Sequence, residues 1–117
     1  VSNSVSLRLL LWRATFFTLL LLVTAFCLAK LSPSEPLIND KVQHFIAFAA
    51  LTVPAAMSWP LLGLLAPVGL LLVLYGAAIE CVQYLLPWRS AEWLDLLADA
   101  AGVVFGLYVA SIIRRRR

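Results

Sequence analysis

Four apolar stretches alternate with short polar ones along the chain, at residues 9–29, 41–58, 61–86 and 91–113. A helix rises about 1.5 Å per residue, so crossing a bilayer core of about 30 Å takes about 20 apolar residues. The first, third and fourth stretches reach that length. The second is shorter and carries Pro54, which predicts a kink or a partly re-entrant segment. Trp59-Pro60 marks a tight turn before the third stretch, and Pro87-Trp88-Arg89-Ser90 links the third to the fourth. A membrane barrel needs short alternating strands, and none can be drawn here, so helices are the spanning option. The pattern predicts an all-α polytopic membrane protein, a bundle of four transmembrane helices forming a single domain over residues 1–117.

Residues 1–6, VSNSVS, read as a disordered lead. Arg8 and Arg13 followed by a leucine-rich run have the outline of a signal peptide. The run ends in TAFCLAK, a poor match to a small-residue cleavage site, and Phe26 before Cys27 is too bulky for a lipoprotein site. The first helix is therefore read as a retained anchor.

Composition agrees with the pattern. The chain is 63% hydrophobic and 13% charged, whereas a soluble domain carries about a quarter charged residues. The formal charge of +3 is unevenly spread. Arg114 to Arg117 close the chain, and Arg8 and Arg13 flank the first helix. No basic stripe interleaves with aromatics, so nucleic acid is not an expected partner. With four crossings these charges share one side, which the positive-inside rule makes cytoplasmic for both termini. Loop 30–40 and link 87–90 then face outward. Trp12, Trp59, Trp88 and Trp93 fall near helix ends, as interfacial anchors do. Cys27 and Cys81 lie in apolar runs and read as small hydrophobes. A disulfide between them requires that the helices bring them together.

The remaining ionisable groups gather at one end of this topology. Asp40, Lys41 and His44 open the second helix. Glu80 and Gln83 close the third. Arg89 lies in the link, and Asp95 and Asp99 open the fourth. Asp40 and His44 are spaced i,i+4, and Glu80 and Gln83 i,i+3, so each pair shares a helix face. Asp95, Asp99, Gly102 and Gly106 form one stripe. Its glycines allow a close neighbour. An aspartate well inside a membrane helix costs about 2.5–3.5 kcal/mol, so this stripe should face protein. The expected cluster is Asp40, His44, Glu80, Asp95 and Asp99, partly neutralised by Arg89. Plainer readings exist. Asp40 can serve the helix dipole, Lys41 can snorkel, Gln83 can be interhelical glue, and Glu92 can face headgroups.

At these residues the chain resembles the VanZ-like family of small bacterial membrane proteins. DKVQHFIAFAAL at 40–51 and ECVQYLLPWRSAEWLDLLADAAGVVFG at 80–106 carry the resemblance. They fit a family pattern of Asp-Lys-x-x-His-Phe-x-x-Phe-x-x-Leu, then Glu-x-x-Gln, an Arg, an Asp and two glycines. Asp99 stands where many members have asparagine. The resemblance implies a place in the bacterial cytoplasmic membrane and a link to glycopeptide (teicoplanin) susceptibility, but it supplies no reaction.

Three functions follow as expectations. The first is an outward-facing site that binds, and could modify, a lipid-linked or cell-wall headgroup. His44, Glu80 and Asp95 would act as acid–base groups there, and Asp40, Lys41, Gln83, Arg89 and Asp99 would bind. The same histidine and carboxylates suit a divalent metal. The second is an interaction subunit whose polar cluster only locks the helices. The third is proton- or ion-coupled transport, against which the one-sided polarity argues, unless copies associate through Gly102 and Gly106. Expected partners are membrane lipids, a lipid-linked cell-wall precursor or glycopeptide-related ligand, and further copies of the chain.

Overall fold

A computed structural model describes residues 3–29, 40–59, 65–87 and 92–116. Within them lie four helices: α1 (Asn3–Leu28), α2 (Asp40–Ser58), α3 (Ala66–Leu85) and α4 (Trp93–Arg115). No strand occurs among the described residues. The all-α expectation therefore holds. Three helices, α1, α3 and α4, are long and apolar enough to cross a membrane. α2 is not among them, because its first turn is polar.

The helix ends differ from the expected ones for identifiable reasons. α1 begins at Asn3 rather than near residue 9, so residues 3–6 are not a disordered lead. Asn and Ser favour helix starts, and no glycine or proline interrupts residues 3–28. α3 begins at Ala66 rather than 61, with Pro67 in its first turn. Proline fits there because it has no N–H to leave unbonded. Residues 60–64, including the Pro60 turn, lie outside the described residues. α4 follows Glu92, whose backbone is extended and whose side chain does not cap. Asp95 in its first turn and Arg114 and Arg115 in its last complement the helix dipole.

α2 stands in the middle of the bundle. It packs most extensively on α4 and next on α1, while α3 rests on α4. The core joins Phe48, Leu51, Ala55 and Ala56 of α2 to Val68 and Leu72 of α3 and to Val103 and Ala110 of α4. Gly102 and Gly106 make the α2–α4 approach close. A Cβ on Gly102 would run into the Phe45 carbonyl, and one on Gly106 would meet Thr52 and the Ala49 carbonyl. The glycine stripe is thus filled by α2 of the same chain. Leu21, Leu71 and Val104 point outward with 72%, 67% and 67% of their surface exposed. Apolar surface on this scale is suited to lipid.

Several polar groups away from the cluster are satisfied locally, whereas the buried Gln83 Oε1 makes no hydrogen bond among the described residues. Thr52 Oγ1 donates to the Phe48 carbonyl and Ser58 Oγ to the Pro54 carbonyl, each at 2.6 Å. Pro54 stands inside an unbroken α2. Thr24 Oγ1 donates to the Leu20 carbonyl at 2.7 Å, and its oxygen also shares a hydrogen bond with the Tyr75 hydroxyl. Arg13 Nε donates to the Ser58 carbonyl at 3.1 Å, and its guanidinium lies 5.7 Å from the centre of the Trp59 ring. Arg13 therefore caps the C-terminal end of α2 as well as adding flanking charge. Trp59 in turn meets Phe16 and Phe17 edge-on. Cys27 is buried, Cys81 is exposed, and both are free thiols.

Candidate functional site

Three helix ends meet where the polar residues lie. α2 brings His44 from its second turn, α3 brings Glu80 from near its end, and α4 brings Asp95 and Asp99 from its first two turns. The i,i+4 spacing of the two aspartates puts both on the face toward α2, where Asp95 is 1% and Asp99 0% exposed. His44 is 7% exposed and lies between them. Its Nδ1 makes a 2.7 Å hydrogen bond with Asp99 Oδ1, and its Nε2 is 3.8 Å from Asp95 Oδ2. Each ring nitrogen thus faces a carboxylate, hydrogen-bonded at Nδ1 and beyond hydrogen-bond reach at Nε2.

Lys41 supplies the charge partner for this end. Its Nζ donates to Asp95 Oδ1 and to Glu92 Oε2, both at 2.9 Å. Lys41 thus bridges the buried Asp95 and the exposed Glu92 while keeping about a third of its own side chain exposed.

Glu80 is placed differently. Both its carboxyl oxygens are buried and make no hydrogen bond among the described residues. One ligand atom from each of His44, Glu80 and Asp99 lies within 4.8 Å of the other two. Gly76, one turn earlier on α3, leaves room for the neighbouring Asp99. A Cβ there would sit 2.9 Å from Asp99 Oδ2 and 3.2 Å from the Phe48 ring. Glu80 also reaches the outside of the bundle. With Ala77, Cys81, Tyr84, Trp93 and Leu96 it lines an apolar groove of about 560 Å³ between α3 and α4. That volume lies in the range of ligand pockets, about 300–1,000 Å³.

The structure thus brings together His44, Glu80, Asp95, Asp99 and Lys41. Gln83 is buried but turns to α1, where Nε2 donates to the Cys27 carbonyl at 2.8 Å. It ties α3 to α1. Asp40 opens α2, with its side chain outside the description, and Arg89 lies outside the described residues. Sequence reasoning missed Gly76 and gave Glu92 only a headgroup role. For Gly76 a signal existed: it precedes Glu80 by one turn, on the same face of α3.

A small helical membrane protein with an acid- and histidine-lined end is the class that fold and geometry define. The VanZ/LLP1 family model matches residues 7–114. The chain belongs to that family, as the resemblance of residues 40–51 and 80–106 implied. Comparisons with curated proteins and with solved structures gave no match.

Proposed function

We propose that this protein binds a lipid-linked or cell-wall headgroup at the outer face of the bacterial cytoplasmic membrane, through the cluster of His44, Glu80, Asp95 and Asp99. The observation that carries the reading is Glu80. A carboxylate present only to lock helices would spend at least one oxygen on a neighbour, as Asp99 does on His44. Glu80 buries both without a hydrogen bond among the described residues, at the edge of an apolar groove. The groove suits an acyl or isoprenoid chain, and the cluster beside it suits the polar end of the same molecule. His44 and the carboxylates are the groups for proton transfer if the headgroup is modified. Lys41 and Arg89 are the cations nearest in sequence to the cluster. Membership of the VanZ/LLP1 family supports a role in the envelope, with teicoplanin susceptibility as the phenotype to follow.

Orientation in this reading follows the basic residues. Arg8, Arg13 and Arg114 to Arg117 hold both termini in the cytoplasm, which puts the cluster outside. α2, with 19 residues, spans about 28 Å and is the fourth crossing, with Asp40 and Lys41 in the outer interface. The other helices surround its polar turn. Association of copies would use a face other than Gly102 and Gly106, which α2 fills.

One observation favours the rival, a purely structural cluster. The His44–Asp99 contact is short and buried, and the Lys41–Asp95 contact is short and half-buried, as a helix lock requires. Glu80→Gln and His44→Ala separate the two. Headgroup binding predicts loss of the envelope phenotype, read as teicoplanin susceptibility of an expressing host, with normal expression and melting temperature in Glu80→Gln. A Glu80→Gln protein that keeps the phenotype, or loses it only by unfolding, contradicts the proposal.

A further inference from the structure

We propose that His44, Glu80 and Asp99 bind one first-row divalent cation, with Asp95 as the carboxylate that orients the histidine. Four independent observations lead there. The first is the donor set: an imidazole and two carboxylates from three different helices, with ligand atoms within 4.8 Å of one another. Ligands about 2.0–2.2 Å from a shared ion sit about 3–4 Å apart. Closing the set brings Glu80 nearer and replaces the 2.7 Å His44–Asp99 hydrogen bond by bonds to the ion. The second is Glu80 itself, whose two buried oxygens take no hydrogen bond among the described residues.

The third is charge. Lys41 answers Asp95 and Glu92. Glu80 and Asp99 lie close to one histidine at an end where burial penalises net charge. A divalent ion neutralises both carboxylates at once. The fourth is what stands behind the histidine. With Nδ1 toward the ion, Nε2 faces Asp95 Oδ2 at 3.8 Å, and Lys41 holds Asp95 from the other side at 2.9 Å. Asp95 stands one short movement from the hydrogen bond of a carboxylate–histidine–metal relay, which fixes the tautomer and raises ligand basicity. Gly76 keeps the space beside Asp99 clear. The imidazole favours Zn²⁺ or Mn²⁺ over Ca²⁺ or Mg²⁺, which prefer all-oxygen sites.

This inference deepens the headgroup proposal and rests on its placement of the cluster. An acidic pocket repels a phosphate, whereas a bound cation with open coordination positions attracts one. The metal is measured with no lipid present, so the two can fail separately. Tag-free protein in detergent, stripped with chelator, is loaded with Zn²⁺ alone and desalted. Elemental analysis is expected to find about one ion per chain, and X-ray absorption a nitrogen and oxygen shell at about 2.0–2.2 Å. Asp95→Asn should bind about 10–100-fold more weakly, and Glu80→Gln should retain no ion. A sulfur shell, a stoichiometry near zero, or a folded Glu80→Gln that binds like the parent overturns the proposal. Should Glu80→Gln fail to fold, the absorption spectrum of the parent protein decides alone. A protein that holds the ion but no headgroup contradicts only the earlier proposal.

Discussion

Glu80 and Gln83 lie one turn apart on α3, and their fates differ. Gln83 spends its amide on the Cys27 carbonyl and ties two helices. Glu80 leaves its oxygens unbonded beside His44 and Asp99. The difference sets up a prediction at the scale of single side chains. Gln83→Leu removes one buried hydrogen bond between helices, worth about 0.5–1.5 kcal/mol. It should lower the melting temperature slightly and leave zinc stoichiometry unchanged. Thermal melts and metal content measured on the same preparation check both halves. Zinc loss in Gln83→Leu, at intact fold, would show that the two residues act together and that the division drawn here is mistaken.

At the scale of elements, the α2–α4 seam is the strictest contact. Gly102 faces the Phe45 backbone carbonyl, which cannot rotate aside, whereas Gly69 on α3 faces the Leu107 side chain, whose end can. Gly102→Ala should therefore destabilise by about 1–3 kcal/mol, with Gly69→Ala costing clearly less. Denaturation in detergent measures the order, and equal costs would contradict the seam. The same elements show what a sequence reveals. Spacing alone put Asp95, Asp99, Gly102 and Gly106 on one face and required that face to meet protein, as it does. The polar end was legible because a charged group in an apolar run must be sheltered. Helix starts at Asn3 and Ala66 were less legible, because apolar content does not say where a helix begins. The gathering of polar groups from three helices was expected, but the particular pairs were not legible. Lys41 with Glu92, Arg13 with Ser58, and Gly76 beside Asp99 depend on helix rotation and offset, which a linear pattern leaves open.

For the whole molecule, the arrangement is lopsided. The end formed by the starts of α2 and α4 and the close of α3 holds the acids, the histidine and Lys41, while the other end holds arginines and an apolar core. Such an arrangement suits a receptor for something at one membrane face better than a pathway across both. In the proposed function the groove between α3 and α4 would serve as a lateral entrance from the lipid, with Glu80 at the join of grease and charge. Native mass spectrometry of the protein released from envelope-lipid micelles tests this most directly, with Glu80→Gln run beside the parent. The account predicts a retained anionic lipid adduct on the parent and its loss from a Glu80→Gln protein of unchanged melting temperature. An adduct that survives the substitution, or a parent that carries none, would contradict it.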